Sequence, residues 1–125
     1  MSSFTTPLIV QLLDDGRTWR LEEEFRYRVG DETGEPVAVP KGFETDFASI
    51  PRIFWAVLSP YGRHGKSAVI HDWCYKKHLF TRLVCDRIFL EAMKVLGVRR
   101  WKYRVMYRAV RMFGWIAWRK HGEST

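Results

Sequence analysis

Cysteine is scarce in this chain. Only Cys74 and Cys85 occur among 125 residues, too few for a disulfide framework. They are expected as two buried thiols, with a single bridge between neighbouring helices as the alternative. There is no run of about 18 apolar residues, which excludes a membrane-spanning helix. No basic stretch followed by an apolar one stands between Met1 and Pro7, so no secretory signal is expected. No close Cys/His pair is present. His64, His71 and His78 recur every seven residues, but that spacing separates rings by about 10 Å along a helix, so a zinc site is rejected. Internal repeats and low-complexity linkers are also absent, and one domain covering 1–125 is expected.

What is present is a well-stocked core and a lopsided charge. Apolar residues make up 46% and aromatics 15% of the chain, enough to fill a core without staples. The net charge is +7, yet residues 1–50 carry 5 basic and 10 acidic side chains, while residues 51–125 carry 16 and 4. The second part therefore calls for an acidic partner: membrane lipid, nucleic acid or an acidic protein surface.

Periodicity divides the chain at the same place. Leu8 to Leu13 reads as a strand and Asp14-Asp15-Gly16 as a turn. Trp19, Leu21, Phe25, Tyr27 and Val29 then alternate, with Glu23 the one break, the pattern of a strand with one face buried. Pro36 to Val39 and Gly42 to Phe47 are shorter extended pieces. From Ser49 the signals turn helical. A short helix Pro51–Leu58 is capped by Ser49, and a second covers about Lys66 to His78. A third, Arg82 to Leu96, is capped by Thr81 and closed by Gly97, and a fourth runs from about Arg99 to Lys120. The class is α+β: a small antiparallel β portion over 1–48, then helices over 49–125, the second and third forming an antiparallel hairpin.

That hairpin carries the candidate chemistry. His71 and Tyr75 share one helix face. His71 lies about eight residues before the turn at Phe80 and Asp86 about five after it, so their heights differ by only a few ångströms at ~1.5 Å per residue. A hydrogen bond from the His71 ring to Asp86 is expected, and an imidazole oriented by a carboxylate is a general base. The plainer reading is a buried histidine with satisfied nitrogens, an Asp86–Arg82 ion pair, and a Tyr75 that packs with its hydroxyl bonded. Asp46, beside Thr45, Ser49 and Arg52, is either a further carboxylate of the site or a local cap paired with Arg52.

The run His71-Asp72-Trp73-Cys74-Tyr75 resembles the active-site helix of secreted and viral phospholipases A2, written His-Asp-x-Cys-Tyr or His-Asp-x-x-Tyr. The resemblance implies His71 as base, Asp72 as ligand of a Ca2+ ion and Asp86 as orienting carboxylate; Asp46 is a second candidate metal ligand beside Asp72. Cys85-Asp86-Arg87-Ile88-Phe89 is similar to a stretch of the viral members. Their glycine-rich calcium loop has only Tyr61 to Gly65 as a counterpart, with Arg63 and Lys66 as cations there. A longer ordered string, Val39 to Arg52, then Ala68 to Asp72, then Arg82 with Asp86, resembles the phage and prophage family known as domain of unknown function 1353. It implies a phage or prophage origin, with the protein in the host bacterial cytoplasm or a virion, and no defined activity.

The last helix adds Arg99, Arg100, Lys102, Arg104, Arg108, Arg111, Arg119 and Lys120, interleaved with Trp101, Tyr103, Tyr107, Phe113, Trp115 and Trp118. Val105, Ala109 and Met112 are expected as its core stripe, and the basic residues as a surface for an anionic partner. Two functions follow from these readings. One is a phage-encoded hydrolase acting on lipid, ester or amide bonds of the host envelope. The other is a virion or assembly component in which His71, Asp72, Asp86, Asp46 and Arg52 form a structural polar network and the charged surface docks on phage proteins.

Overall fold

A computed structural model of the chain describes residues 3–4, 9–16, 18–28, 36–45, 53–54 and 65–123. The chain divides into two units, Met1–Asp46 and Phe47–Thr125. The class is α+β, as the periodicity indicates.

The first unit holds strands β1 (Ser3–Phe4), β2 (Val10–Leu12), β3 (Trp19–Leu21), β4 (Phe25–Arg28), β5 (Pro36–Val39) and β6 (Glu44–Thr45). They form two antiparallel three-stranded sheets, ordered β1-β4-β5 and β2-β3-β6. Asp15 and Gly16 make the turn between β2 and β3. The Thr18 amide donates to Asp15 Oδ1 at 2.8 Å, and Gly16 takes φ 73°, a conformation that costs glycine little. In β4 and β5, register places Phe25 opposite Val39 and Tyr27 opposite Val37, and all four are buried. Arg26 and Ala38, also opposite each other, face outward, the period of two expected for a half-buried sheet.

One expectation is corrected here. The alternating run from Trp19 is not one strand. It breaks at Glu22 and Glu23 into β3 and β4, which belong to different sheets. Three consecutive glutamates cannot alternate into a core, and Glu22, Glu23 and Glu24 are all exposed. The strand expected over Leu8 to Leu13 is confined to Val10–Leu12, and Val29 lies outside the described residues.

The second unit has three α-helices among the described residues: α1 (Gly65–Lys77), α2 (Arg82–Val95) and α3 (Arg100–Glu123). The first of the four expected helices, Pro51–Leu58, falls outside the described residues except for Ile53 and Phe54, which adopt 3-10 geometry. From Gly65 to Tyr75, only Lys66 and Trp73 of α1 escape full burial, so α1 is the enclosed helix of its unit. It packs on α2 and α3, and α2 on α3. The side-chain pairs Cys74–Cys85 and His71–Asp86 step backward along α1 and forward along α2, as in an antiparallel hairpin.

The helix ends show how the hairpin is cut. Thr81 Oγ1 accepts from the Val84 amide at 3.3 Å, the cap expected of it. At the end of α2 the Val98 amide reaches Met93 O (3.0 Å) and the Gly97 amide reaches Lys94 O (3.1 Å), a Schellman closure with Gly97 at φ 76°. α1 ends the same way, Leu79 to Cys74 (3.1 Å) and His78 to Tyr75 (3.2 Å), but with His78 in glycine's place at φ 46°. Outside contacts offset the strain. The His78 ring stacks on Trp118 at 3.7 Å, and its Nε2–H donates to the Trp118 carbonyl at 2.9 Å.

No atom lies within 4 Å of a Cβ built on Gly97, so Gly97→Ala isolates the backbone term. Its expected cost is about 1–2 kcal/mol, read as a lower urea midpoint with an unchanged slope.

Candidate active site

Asp86 is the centre of the three-helix unit. It lies on the buried face of α2 with Ile88, Phe89 and Met93 as neighbours in that core, and none of it is exposed. A carboxylate there is costly unless its lone pairs are filled. Oδ1 accepts from His71 Nε2 at 2.7 Å and from the Tyr75 hydroxyl at 2.6 Å, both on α1. Oδ2 accepts from Arg111 Nη1 on α3 at 2.7 Å, with Arg82 Nη1 at 3.5 Å. Three helices thus meet on one carboxylate.

Electrostatics follow from that packing. Burial pushes the Asp86 carboxyl up. The bonded His71, the Tyr75 hydroxyl and the Arg111 guanidinium outweigh it together and hold Asp86 below the usual carboxylate range. Burial, and then the adjacent Asp86 charge, push the Tyr75 phenol far above its ordinary value against the opposing pull of Arg82. Tyr75 therefore keeps its proton and acts as a donor. An ionised Asp86 can only accept, which puts a proton on His71 Nε2. The ring is clamped between Tyr75 (centroids 4.2 Å) and Phe89 (4.6 Å).

Close approach of α3 makes the cluster possible. Arg82 donates to the carbonyls of Val110 (3.1 Å) and Arg111 (3.3 Å). Gly114 lies against the Tyr75 hydroxyl so tightly that a Cβ there would overlap it, with Arg82 Nη1 3.3 Å away. Trp118 packs edge-on against Tyr75 at 5.3 Å.

His71, Tyr75, Asp86 and Arg82 come together as the hairpin geometry indicates. Arg111, expected on the anionic-partner surface, is instead bonded to Asp86. The phase of α3 also differs from the expected one. Met112 is 64% exposed, and the buried stripe is Met106, Ala109, Val110, Gly114 and Ala117 rather than Val105, Ala109 and Met112. The buried stripe is rotated by about one residue, and Arg111, about 120° from its centre at 100° per residue, reaches Asp86 from the edge of the core. The small residues Ala109, Gly114 and Ala117 were the signal that could have revealed it. Arg99, Arg100, Arg104, Arg108 and Arg119 are exposed and Lys102 is half-buried. The Lys120 side chain lies outside the described residues, as do Asp46, Ser49 and Arg52. Thr45 is buried on β6 of the other unit.

Asp72 is buried next to His71. Among the described residues no three His, Cys, Asp or Glu side chains form a metal-holding group. Cys74 and Cys85 are free, buried thiols. The hydrogen bond with Cys85, then burial, push the Cys74 thiol up.

Comparison with known proteins places this arrangement. The model of the family described as "Protein of unknown function (DUF1353)" matches residues 19–110. That span includes His71, Tyr75, Arg82 and Asp86 and stops just before Arg111. The uncharacterized protein y4jT of Sinorhizobium fredii is 35% identical over 98 residues, 77% of this chain and 29% of that protein. The uncharacterized protein y4iH of the same organism is 30% identical over 108 residues, 85% of this chain and 44% of that protein. The chain thus spans less than half the length of either relative. No solved structure matches it.

Two outcomes test the cluster. Gly114→Ala should lose about 1–3 kcal/mol through overpacking on Tyr75, measured by urea unfolding. Because the folded-state pKa of Asp86 is depressed, its ionised form stabilises the fold above about pH 4, and that contribution drains as pH falls through the folded value. Wild-type stability should therefore drop between about pH 5 and about pH 2 more steeply than that of Asp86→Asn.

Proposed function

As the chain belongs to the DUF1353 family, a group described only as proteins of unknown function, its activity has to be read from the site, and we propose a hydrolase in which His71 is the general base and Asp86 orients it. The 2.7 Å contact between His71 Nε2 and Asp86 Oδ1 carries the reading. His71 takes a proton from water, the resulting oxygen attacks an ester or amide carbonyl, and the imidazolium returns the proton to the leaving group. Asp86 stabilises the imidazolium. Tyr75 and Arg111 hold Asp86 in place and keep it ionised.

The substrate class follows from the resemblance of the His71-Asp72 helix to phospholipases A2: a lipid or related ester or amide of the host envelope, in a phage or prophage setting. Calcium, with Asp72 and Asp46 as its candidate ligands, enters as an assay condition.

A second reading has its own support. His71, Tyr75 and Asp86 are wholly buried, and both Asp86 oxygens are filled by donors from three helices. That suits a structural clasp in a virion or assembly component.

His71→Asn separates the two. For a hydrolase, turnover on phospholipid and peptidoglycan panels, with calcium or with chelator and well below the variant's melting temperature, should fall by about 10²–10⁴. For a clasp, the variant should lose about 1–3 kcal/mol of stability, and the wild type should be inert on every substrate. An inert wild type overturns the hydrolase.

A further inference from the structure

The outward face of α3 is built for an interface. Trp101, Arg104, Arg108, Met112, Trp115 and Ile116 fall on one arc about 120° wide at 100° per residue, and Arg119 continues it. All are exposed; the apolar ones stand 51–64% open. From Trp101 to Arg119 this arc contains no acidic and no uncharged polar residue; the one acidic residue of α3, Glu123, follows a turn later. Trp101 and Trp115 lie about 21 Å apart along the axis, with arginines between and beyond them.

We infer that this face docks α3 flat onto an anionic lipid surface. Arginine stems run along the apolar region while their guanidinium groups reach phosphates, and tryptophan favours the depth where hydrocarbon meets headgroups. The helix rests on the bilayer, for no helix among the described residues is long and apolar enough to cross one. Two other occupants fit less well. Met112 and Ile116 have neither a π-face nor a donor, so they add nothing to base stacking on a nucleic acid. A second copy packed on the same arc would bring Arg104 and Arg108 near their own equivalents, with no carboxylate in the arc to neutralise them. The inference stands apart from the hydrolase reading, since docking needs no turnover.

Co-sedimentation of the full chain with vesicles tests it. Wild type should pellet with phosphatidylcholine vesicles that contain phosphatidylglycerol, not with pure phosphatidylcholine, and added salt should release it. Arg104→Gln with Arg108→Gln should weaken binding about thirtyfold, about fivefold per lost charge. Trp115→Ser with Ile116→Ser should weaken it about tenfold or more on the same vesicles. Circular dichroism checks that each variant is folded; if one is not, the composition and salt dependence of the wild type decide. Failure of wild type to bind anionic vesicles overturns the inference. So does a duplex DNA or RNA that binds through this arc and displaces the vesicles, or a dimer abolished by Trp115→Ser. A lipid-bound but inert protein would sink the hydrolase alone.

Discussion

A single buried carboxylate sets the terms for the helical unit. Removing Asp86 from water costs several kcal/mol, and the cost is offset only if every lone pair finds a donor. His71 and Tyr75 from α1 and Arg111 from α3 supply them within 2.6–2.7 Å, each charge-assisted bond contributing ~1.5–3 kcal/mol. The cluster is cooperative for that reason. Loss of one donor leaves the others bonded to a charge that is no longer fully compensated. Helix positions that hydrophobic packing alone would leave adjustable are thereby fixed.

Much of the surrounding structure can be understood as what lets that meeting happen. Gly114 removes the side chain that would hold α3 away from Tyr75. Arg82 uses its remaining donors on the Val110 and Arg111 carbonyls, tying α2 to the backbone of the helix that delivers Arg111. His78 accepts a left-handed backbone because Trp118 receives its ring and its proton, while the same Trp118 meets the edge of Tyr75. The hairpin turn and the polar cluster are thus linked through one indole.

α3 has two chemically different sides. Its inner side is narrow and small-residued, and spends one arginine on the carboxylate. Its outer side keeps large apolar and cationic groups in water. Packing within the unit explains the first side and not the second.

The order of elements, the hairpin, the Thr81 cap, the Gly97 stop and the pairing of His71 with Asp86 were all legible from residue types and spacing, because each depends on local geometry and on counting turns from a short loop. The division of Trp19 to Arg28 between two sheets, the rotation of α3 and the recruitment of Arg111 were decided only in three dimensions. A periodic pattern tells which residues share a face, but α3 has apolar residues on more than one. Which face turns inward depends on whether small side chains stand opposite Tyr75 and Arg82, a fit between segments about 30–40 residues apart that helical periodicity does not contain.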